Sequence, residues 1–371
     1  MKVFNLNTEL SAQQKWIYGI LGIIIVLGLW WAAAEYSSKT IPKVEITQYL
    51  PSSLENDSLA QVKLDSILKA DSIKLSNATE FEKIYPMIPT PLQVAQAIPN
   101  LFVKDDILWN TWVSVWRNLK GYFWAIMIAI PLGFLFGLFP IFKGMFKNQV
   151  DALRYLPLTA LTGLFILWFG TSEGMKVAFL AFGIIVYLLP VVMQRIEEVK
   201  ETYLKTVFTL GANTWQTIKS VYIPSVMSKL IDDIRVLTAI SWTYIIIAEY
   251  INREDGIGGM IQLKQRFQKR ADMFAILLII ILVGFLQDRI FVYLDKRLFP
   301  HKYYKTAMSG LNDIKYGLYL IFGIFIVKVL QEIFYPASQG LVNNIVYVAL
   351  ISGVLYMLYG EFRIRKTAKP I

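Results

Sequence analysis

The sequence predicts an all-α fold, a polytopic transmembrane helical bundle of about eight spans. Hydrophobic residues make up 56% of the 371 residues, and the mean hydropathy is +0.48. Apolar runs of about 20 residues, the length that crosses a bilayer core, recur along the chain. Soluble domains carry a smaller apolar share, so the composition favours a membrane protein.

The apolar runs divide the chain. They lie at 17–34, 121–139, 154–170, 176–193, 235–251, 273–293, 315–334 and 341–360. The first run has no obvious small-residue cleavage site, so we expect it to be retained as an anchor. Four parts follow: an N-terminal segment with the first helix (1–35), an external loop (36–108), a core (109–300), and two extra helices with a basic tail (301–371). The external loop predicts a small amphipathic helix near 50–85, followed by a Pro-broken interfacial loop.

The distribution of Lys and Arg predicts the orientation of the spans. The net charge is +10, and the apolar runs favour cytoplasmic loops over nucleic acid as the reason for it. Basic residues gather after the sixth run, as at Lys296 and Arg297, and in the tail, as at Arg363 and Arg365. Both termini are therefore expected in the cytoplasm of a multi-pass protein. The basic segment 262–270 contradicts this pattern, because it falls on the outer side.

Several kinds of chemistry are excluded or disfavoured by residue usage. The chain has no cysteine and one histidine, His301. Disulfides and thiolate sites are excluded, and a His-based metal site or a Ser-His-Asp triad is disfavoured. The sequence holds no Gly-x-x-x-x-Gly-Lys-Ser/Thr loop to cradle ATP phosphates. We therefore predict no enzyme activity, no cofactor and no metal for this chain.

The segment 195–234 is the most informative polar stretch. Apolar residues at Val199, Tyr203, Val207 and Leu210 follow helical spacing, and Gly211 is placed to end that helix. A second short helix is expected from Trp215 onward, broken at Pro224. Two short helices at an angle form a rigid knob that could fill a groove on a partner protein.

This loop resembles the one shared by importer permeases of the ATP-binding-cassette (ABC) superfamily. Gly211 is followed by nine residues and then by Val221-Tyr222-Ile223-Pro224, as in the family's glycine-to-proline spacing. The family's Glu-Ala-Ala positions read Lys205-Thr206-Val207 here, which is a departure. The resemblance implies an ATPase-coupling loop at 195–224. Its expected contact residues are Tyr203, Lys205, Thr206, Val207, Leu210, Gly211, Ala212, Trp215, Val221, Ile223 and Pro224.

Other segments are similar to the nitrate, sulfonate and taurine branch of these permeases. The matching segments lie at 87–98, 113–137, 153–177 and 241–261, so the resemblance covers about 87–300. Residues 241–261 carry the branch's Trp, Ala-Glu and Gly-x-Gly positions. Trp242, Glu249, Gly256 and Gly258 are accordingly the candidates for the translocation path or gate. For Glu249 the alternative is an interfacial carboxylate that snorkels or pairs with Arg253.

The resemblance implies a type I ABC importer permease core in the bacterial inner membrane. The implied partners are a cytosolic ABC ATPase, a second permease copy in a homodimer, and an extracytoplasmic solute-binding protein. The solute would be small, either an anion such as a sulfonate or nitrate, or a vitamin precursor. The last two spans lie outside the family's usual plan and are expected to be accessory, with a Lys328–Glu332 pair one turn apart.

Two alternatives from other classes remain open. An ion-gradient-driven secondary transporter would show inverted repeats and paired carboxylates at mid-depth, and neither is visible in the sequence. A membrane scaffold could use the same loop to dock another cytosolic partner. An ATPase gene next to this one would favour the importer.

Overall fold

The computed structural model describes residues 10–42, 80–252, 255–303, 310–334 and 339–367. These residues are mostly helical. The elements, numbered in chain order, are α1 (Ala12–Tyr36), β1 (Lys39–Pro42), β2 (Phe81–Ile84), α2 (Pro91–Val103), α3 (Ile107–Leu138), α4 (Pro140–Leu153), α5 (Leu158–Phe169), α6 (Glu173–Glu197), α7 (Glu201–Thr209), α8 (Thr214–Thr217), a π-helical turn (Ile218–Tyr222), α9 (Ile223–Asn252), α10 (Ile257–Arg266), α11 (Arg270–Leu298), a 3₁₀ turn (Pro300–Lys302), α12 (Leu311–Phe334) and α13 (Gln339–Thr367).

Seven of the helices in the described part are long and apolar enough to cross a membrane, and an eighth crossing is possible if α4 and α5 count as one bent span. The predicted fold class is therefore confirmed. The apolar run at 154–170, predicted as a span, does not cross alone, because α5 has 12 residues and at 1.5 Å per residue covers only about 18 Å of a roughly 30 Å core. Helices α4 and α5 meet at 102°. The turn precedes Pro157, and a residue before proline avoids the helical region.

The chain separates into two compact units, and the first comprises residues 1–107 and 263–278. Strands β1 and β2 pair antiparallel, with Lys39 opposite Ile84. Thr90 caps α2 in a reciprocal box with Gln93, so the interfacial loop predicted here is instead a helix from Pro91. The amphipathic helix predicted near 50–85 lies mostly outside the described residues.

A buried lysine in this unit bears on the basic segment 262–270. Lys264 bonds to Asp105 at 2.7 Å and to Asp272 at 2.9 Å. Burial lowers the pKa of Lys264, but these two carboxylates outweigh burial and raise its pKa overall. One of the four basic groups that contradict the predicted orientation is thus neutralised by acidic neighbours.

The second unit comprises residues 108–262 and 279–371, and α6 lies at its centre. Helix α6 packs against α9, α5 and α4. Glycines of α3 face it closely: a Cβ on Gly133 would lie 2.5 Å from Val192, and one on Gly137 would lie 2.7 Å from Ile196. In a membrane the hydrophobic effect does not drive helices together, because lipid tails are as apolar as the side chains. Helices associate there through close packing, which small residues such as glycine allow.

Helices α12 and α13 form a hairpin that is attached to α3 and α11. Phe325 packs edge-on against Trp116, with ring centroids 5.5 Å apart, and Arg297 holds Glu361 with two bonds of 2.7 Å. The Glu332 carboxylate accepts from Trp116 Nε1 and from Lys120 Nζ, each at 3.1 Å.

The predicted Lys328–Glu332 pair is therefore wrong. The Glu332 carboxylate accepts hydrogen bonds from Trp116 and Lys120 of α3. Lys328 donates to Gln331 at 3.3 Å instead. A partner across the helix interface competes well because it is held in place by packing, whereas a partner one turn away contributes only about 0.2–0.5 kcal/mol.

Candidate functional site

The turn between α7 and α8 is built by a glycine, as the sequence predicted. Gly211 has φ = +78°, a conformation that glycine adopts without steric cost. Its N–H donates to the Phe208 carbonyl and the Ala212 N–H donates to the Val207 carbonyl, both at 3.0 Å. These two bonds form the Schellman motif, which closes the end of a helix and fixes the direction of the chain that follows.

The second helix of the loop does not end at Pro224, contrary to the sequence prediction. Residues Thr214–Ile251 run as one helical stretch. A π-helical turn at Ile218–Tyr222 precedes the proline, and the Ile223 N–H donates to the Ile218 carbonyl. The wider turn accommodates the proline ring, which lacks an N–H and would clash with a carbonyl four residues earlier. The loop is therefore joined to α9 without a break.

The two short helices expose apolar side chains. Leu210 is 80% exposed and Trp215 is 68% exposed, and Tyr203 and Phe208 are also exposed. We call these four residues the loop face. Large exposed apolar side chains of this kind are typical of interaction sites. Phe208 was not predicted as a contact residue, because it lies off the stripe of Tyr203 and Val207.

The remaining predicted loop residues have mixed environments. Lys205 pairs with Glu201 at 2.8 Å, one turn away, and Thr206 bonds to the Thr202 carbonyl. Val221 is buried. The others are half-buried or exposed: Val207, Ala212, Ile223 and Pro224. The predicted set is thus contiguous, but only part of it is available to a partner.

A group of charged side chains ties the base of the loop to α9. Arg195 binds Asp233 and Glu198, each at 2.7 Å, and Lys229 binds Glu198 at 2.9 Å. Bonds from Lys229 and Arg195 lower the pKa of Glu198. Behind the loop is a cavity of about 540 Å³, which His301 also lines. The α7 helix itself has no buried residue, so the loop is anchored at its ends and open between them.

At the opposite end of α9, Glu249 is the centre of a buried ion cluster. Its side chain has no exposed surface. The carboxylate accepts from Ser114 Oγ at 2.8 Å, from Arg117 Nη1 at 2.8 Å, and from the backbone N–H of Gly258 at 2.9 Å. The snorkelling alternative is excluded by this burial, and a pair with Arg253 lies outside the described residues.

The cluster extends through Arg117 to α6. Arg117 Nε donates to Glu173 at 2.7 Å, and a second nitrogen of the same guanidinium bonds to Glu249. Glu173 also accepts from the buried Lys176 at 2.8 Å. Two cations and two carboxylates therefore balance, which is the condition under which buried charges are tolerated.

Gly256 and Gly258 lie against the Glu249 carboxylate in the turn between α9 and α10. Gly256 has φ = +122°, and a Cβ on it would overlap the carboxylate. Its N–H donates to Asn110 at 2.8 Å. The structure thus brings three of the four predicted path residues together. Trp242 lies apart: it is buried, and its indole donates to Gln287 of α11 at 2.9 Å.

Three members of this cluster were not predicted from the sequence: Arg117, Glu173 and Ser114. A signal was present for Arg117, because an arginine in a spanning helix is costly and needs a partner. Glu173 and Ser114 gave no comparable signal. Within the described ranges, no group of three or more His, Cys, Asp or Glu residues could hold a metal ion.

The chain is similar in sequence to known transport permeases, both as a family and individually. The sequence profile of the family described as "Binding-protein-dependent transport system inner membrane component" matches residues 93–300, more than half of the chain. The taurine transport system permease protein TauC of Escherichia coli is 25% identical over 218 residues, which are 57% of this chain and 79% of that protein. A Bacillus subtilis protein named as an aliphatic sulfonates transport permease, SsuC, is 25% identical over 212 residues, covering 57% and 77%.

A solved structure was also similar. The MetNI methionine ABC transporter in inward-facing conformations aligns with a TM-score of 0.47 and 15% identity, over 53% of this chain and 97% of that one. The family assignment rests on the sequence and not on this geometric likeness.

Proposed function

The chain belongs to the family of binding-protein-dependent transport system inner membrane components, and from that premise we propose that it is a permease subunit driven by a separate ATPase. The observation that carries the proposal is the loop face, an exposed apolar surface on a knob whose shape is fixed by the Gly211 turn. ATP hydrolysis would reside in the partner, because this chain has no phosphate-binding loop of its own.

The loop is well placed to transmit a movement of the ATPase to helix α9. Trp215 of the loop face belongs to the same 38-residue helical stretch that ends near Glu249. A push on the loop would therefore act directly on α9, because a continuous helix moves as one body. The ion pairs of Arg195 and Lys229 link the other side of the loop to the same helix. Rigid-body movement of packed helices is an established way to switch a protein between two states.

We assign the Glu249 cluster a positioning role. Glu249, Gly256 and Gly258 fix the α9–α10 turn against α3, and Trp242 anchors α9 to α11 through Gln287. A buried, fully bonded carboxylate offers no surface to a passing solute. The cluster therefore holds one end of α9 in place when the loop moves. The translocation path for the solute is formed by other residues of the 109–300 core.

The partners and the solute follow from the family and its relatives. The family description supports an extracytoplasmic binding protein that delivers the solute. The relatives named for taurine and aliphatic sulfonates support a small sulfonate-like anion. We further propose a homodimer with both termini in the cytoplasm and with 301–371 as an accessory part.

The coupling assignment is tested by replacing Gly211 with valine. A β-branched residue resists the left-handed conformation, at a cost of roughly 1–2 kcal/mol, so the turn should distort. Co-purification of the ATPase and ATP-driven uptake should both fall, while membrane insertion stays normal. Gly144→Val is the matched control, since its glycine has open space around it and no positive φ. Unchanged co-purification and uptake in Gly211→Val would refute the assignment.

A further inference from the structure

The second unit contains a large cavity, and of the loop face and the Glu249 cluster only Glu173 lines it. It has a volume of about 820 Å³, and its walls come from α3, α5, α6 and α12. Helix α12 lies beyond the region that the family profile matches, which ends at residue 300. The wall that α12 contributes, including Glu332, is therefore an addition of this chain to the core.

The lining is apolar and aromatic along most of its length and charged at one end. Trp124, Phe165 and Trp168 are among the aromatic walls. Lys120 and Glu332 form the charged end, 3.1 Å apart. Glu173 also lines the cavity, and its carboxylate is paired with Arg117 and Lys176. Lys120 lies one turn before Trp124 on α3, so the change from charged to aromatic lining follows the helix axis.

From helix lengths we infer that the charged end lies at a membrane boundary. Helix α3 has 32 residues and at 1.5 Å per residue is about 48 Å long, well beyond a core of roughly 30 Å. Its last residue, Leu138, precedes the amphipathic α4, where Lys143 pairs with Glu197 at 2.6 Å. That pair marks one boundary. The other lies about 20 residues back along α3, next to Lys120.

We propose that this cavity binds a membrane phospholipid that carries both a phosphate and a primary amine in its head group. The acyl chains would lie between the aromatic walls. Lys120 would donate to the phosphate and Glu332 would accept from the amine. This inference does not depend on the coupling of the chain to an ATPase.

The donors are available for that role. A lysine ammonium has three N–H donors. Lys120 bonds to Glu332 and lies 5.9 Å from the Trp116 ring, and no other acceptor contacts it among the described residues. Donors therefore remain for a phosphate at the mouth of the cavity. A zwitterionic head group suits an adjacent cation and anion, because it places an opposite charge on each.

The order of the lining favours a lipid over a solute. In a phospholipid the charges lie at the membrane boundary and the apolar part points to the membrane centre, as in this cavity. A polar solute in transit would meet mostly apolar and aromatic side chains.

The test is native mass spectrometry of the full chain, purified in mild detergent from its own membrane. The wild type should retain a phospholipid bearing an amine. Ala178→Phe should narrow the cavity with the charges intact, so bound phospholipid should fall because the acyl chains lose space.

Lys120→Met should remove the phosphate donor and lower bound phospholipid by about tenfold, the effect of losing a charged hydrogen bond. Glu332→Gln keeps an acceptor for Trp116 and should lose only the preference for the amine. Ala32→Phe, at an exposed alanine of α1, is the control and should change nothing.

Folding is checked on the same samples by thermal melting, and Ala178→Phe and Lys120→Met alter the cavity in independent ways. The proposal is overturned if Ala178→Phe retains as much phospholipid as the wild type, or if the wild type binds none. It is also overturned if the molecule displaced by Ala178→Phe is a non-lipid organic solute, or if Glu332→Gln leaves the amine preference unchanged.

Discussion

At the scale of single residues, Glu249 shows how a buried charge is held. Its carboxylate accepts from a hydroxyl, a guanidinium and a backbone N–H, so each of its oxygens is bonded. Removing one member of such a group leaves the others buried without a partner, which costs more than the bond itself contributes.

We predict that Glu249→Gln lowers the stability of the protein by about 2 kcal/mol or more, because Arg117 then keeps only Glu173 as a charged partner. The measurement is thermal unfolding in detergent. Glu201→Gln is the control: the Glu201–Lys205 pair is mostly exposed, and loss of such a pair costs at most about 1 kcal/mol. Equal effects of the two substitutions would argue against the positioning role.

Single residues also mark where sequence reasoning succeeded and where it stopped. Gly211 was predicted correctly, because a glycine after a helical stripe has one strong interpretation, the C-terminal cap. Glu249 was identified as a candidate, but its partners were not. Arg117 is 132 residues away in sequence, and nothing in one sequence states which distant helices come together.

At the scale of elements, the bent pair of α4 and α5 is the feature that the sequence described least well. The apolar residues of α5 were recognised from the sequence, but hydropathy does not show in which direction a helix runs. The 102° bend between α4 and α5 depends on the backbone conformation of the residue before Pro157. The π-helical turn before Pro224 was missed for a similar reason. Proline removes one hydrogen bond, and whether a helix breaks or widens is decided by the packing around it.

The bent pair decides the orientation of the chain ends. If α4 and α5 together cross the membrane, there are eight crossings and both termini lie in the cytoplasm, as we predict. Single cysteines can report this, because the chain has none of its own. An impermeant thiol reagent applied from outside should label Gly340→Cys and leave Ser11→Cys and Lys366→Cys unlabelled. Labelling of Ser11→Cys alone among the termini would mean that the pair turns back without crossing.

At the scale of the whole molecule, the core matches the family profile, whereas the α12–α13 hairpin lies outside it. The family profile ends at residue 300, and the hairpin beyond it is held by Phe325, Glu332 and Glu361 through contacts to α3 and α11. The sequence identified both helices of the hairpin from hydropathy. It could not predict their attachment, because Glu332 was expected to pair within its own helix.

Truncation after residue 306 should leave a chain that inserts, dimerises and binds its ATPase with reduced thermal stability. The reduction is expected because Lys120 and Arg297 lose their carboxylate partners. The measurements are membrane yield, size and ATPase co-purification. Loss of ATP-driven uptake in a truncated dimer that stays folded and ATPase-bound would mean that the hairpin belongs to the transport mechanism.

Photo-crosslinking from the loop face tests the central claim most directly. Leu210→Cys and Val348→Cys, which are 80% and 69% exposed in the native side chains, are labelled with a thiol-reactive photo-crosslinker in inside-out membrane vesicles. We predict that Leu210→Cys captures a protein with a Gly-x-x-x-x-Gly-Lys-Ser/Thr nucleotide loop, and that Val348→Cys does not. Absence of any such ATPase from the Leu210→Cys adducts, or its equal capture from Val348→Cys, would contradict the proposed coupling of this loop to an ATPase.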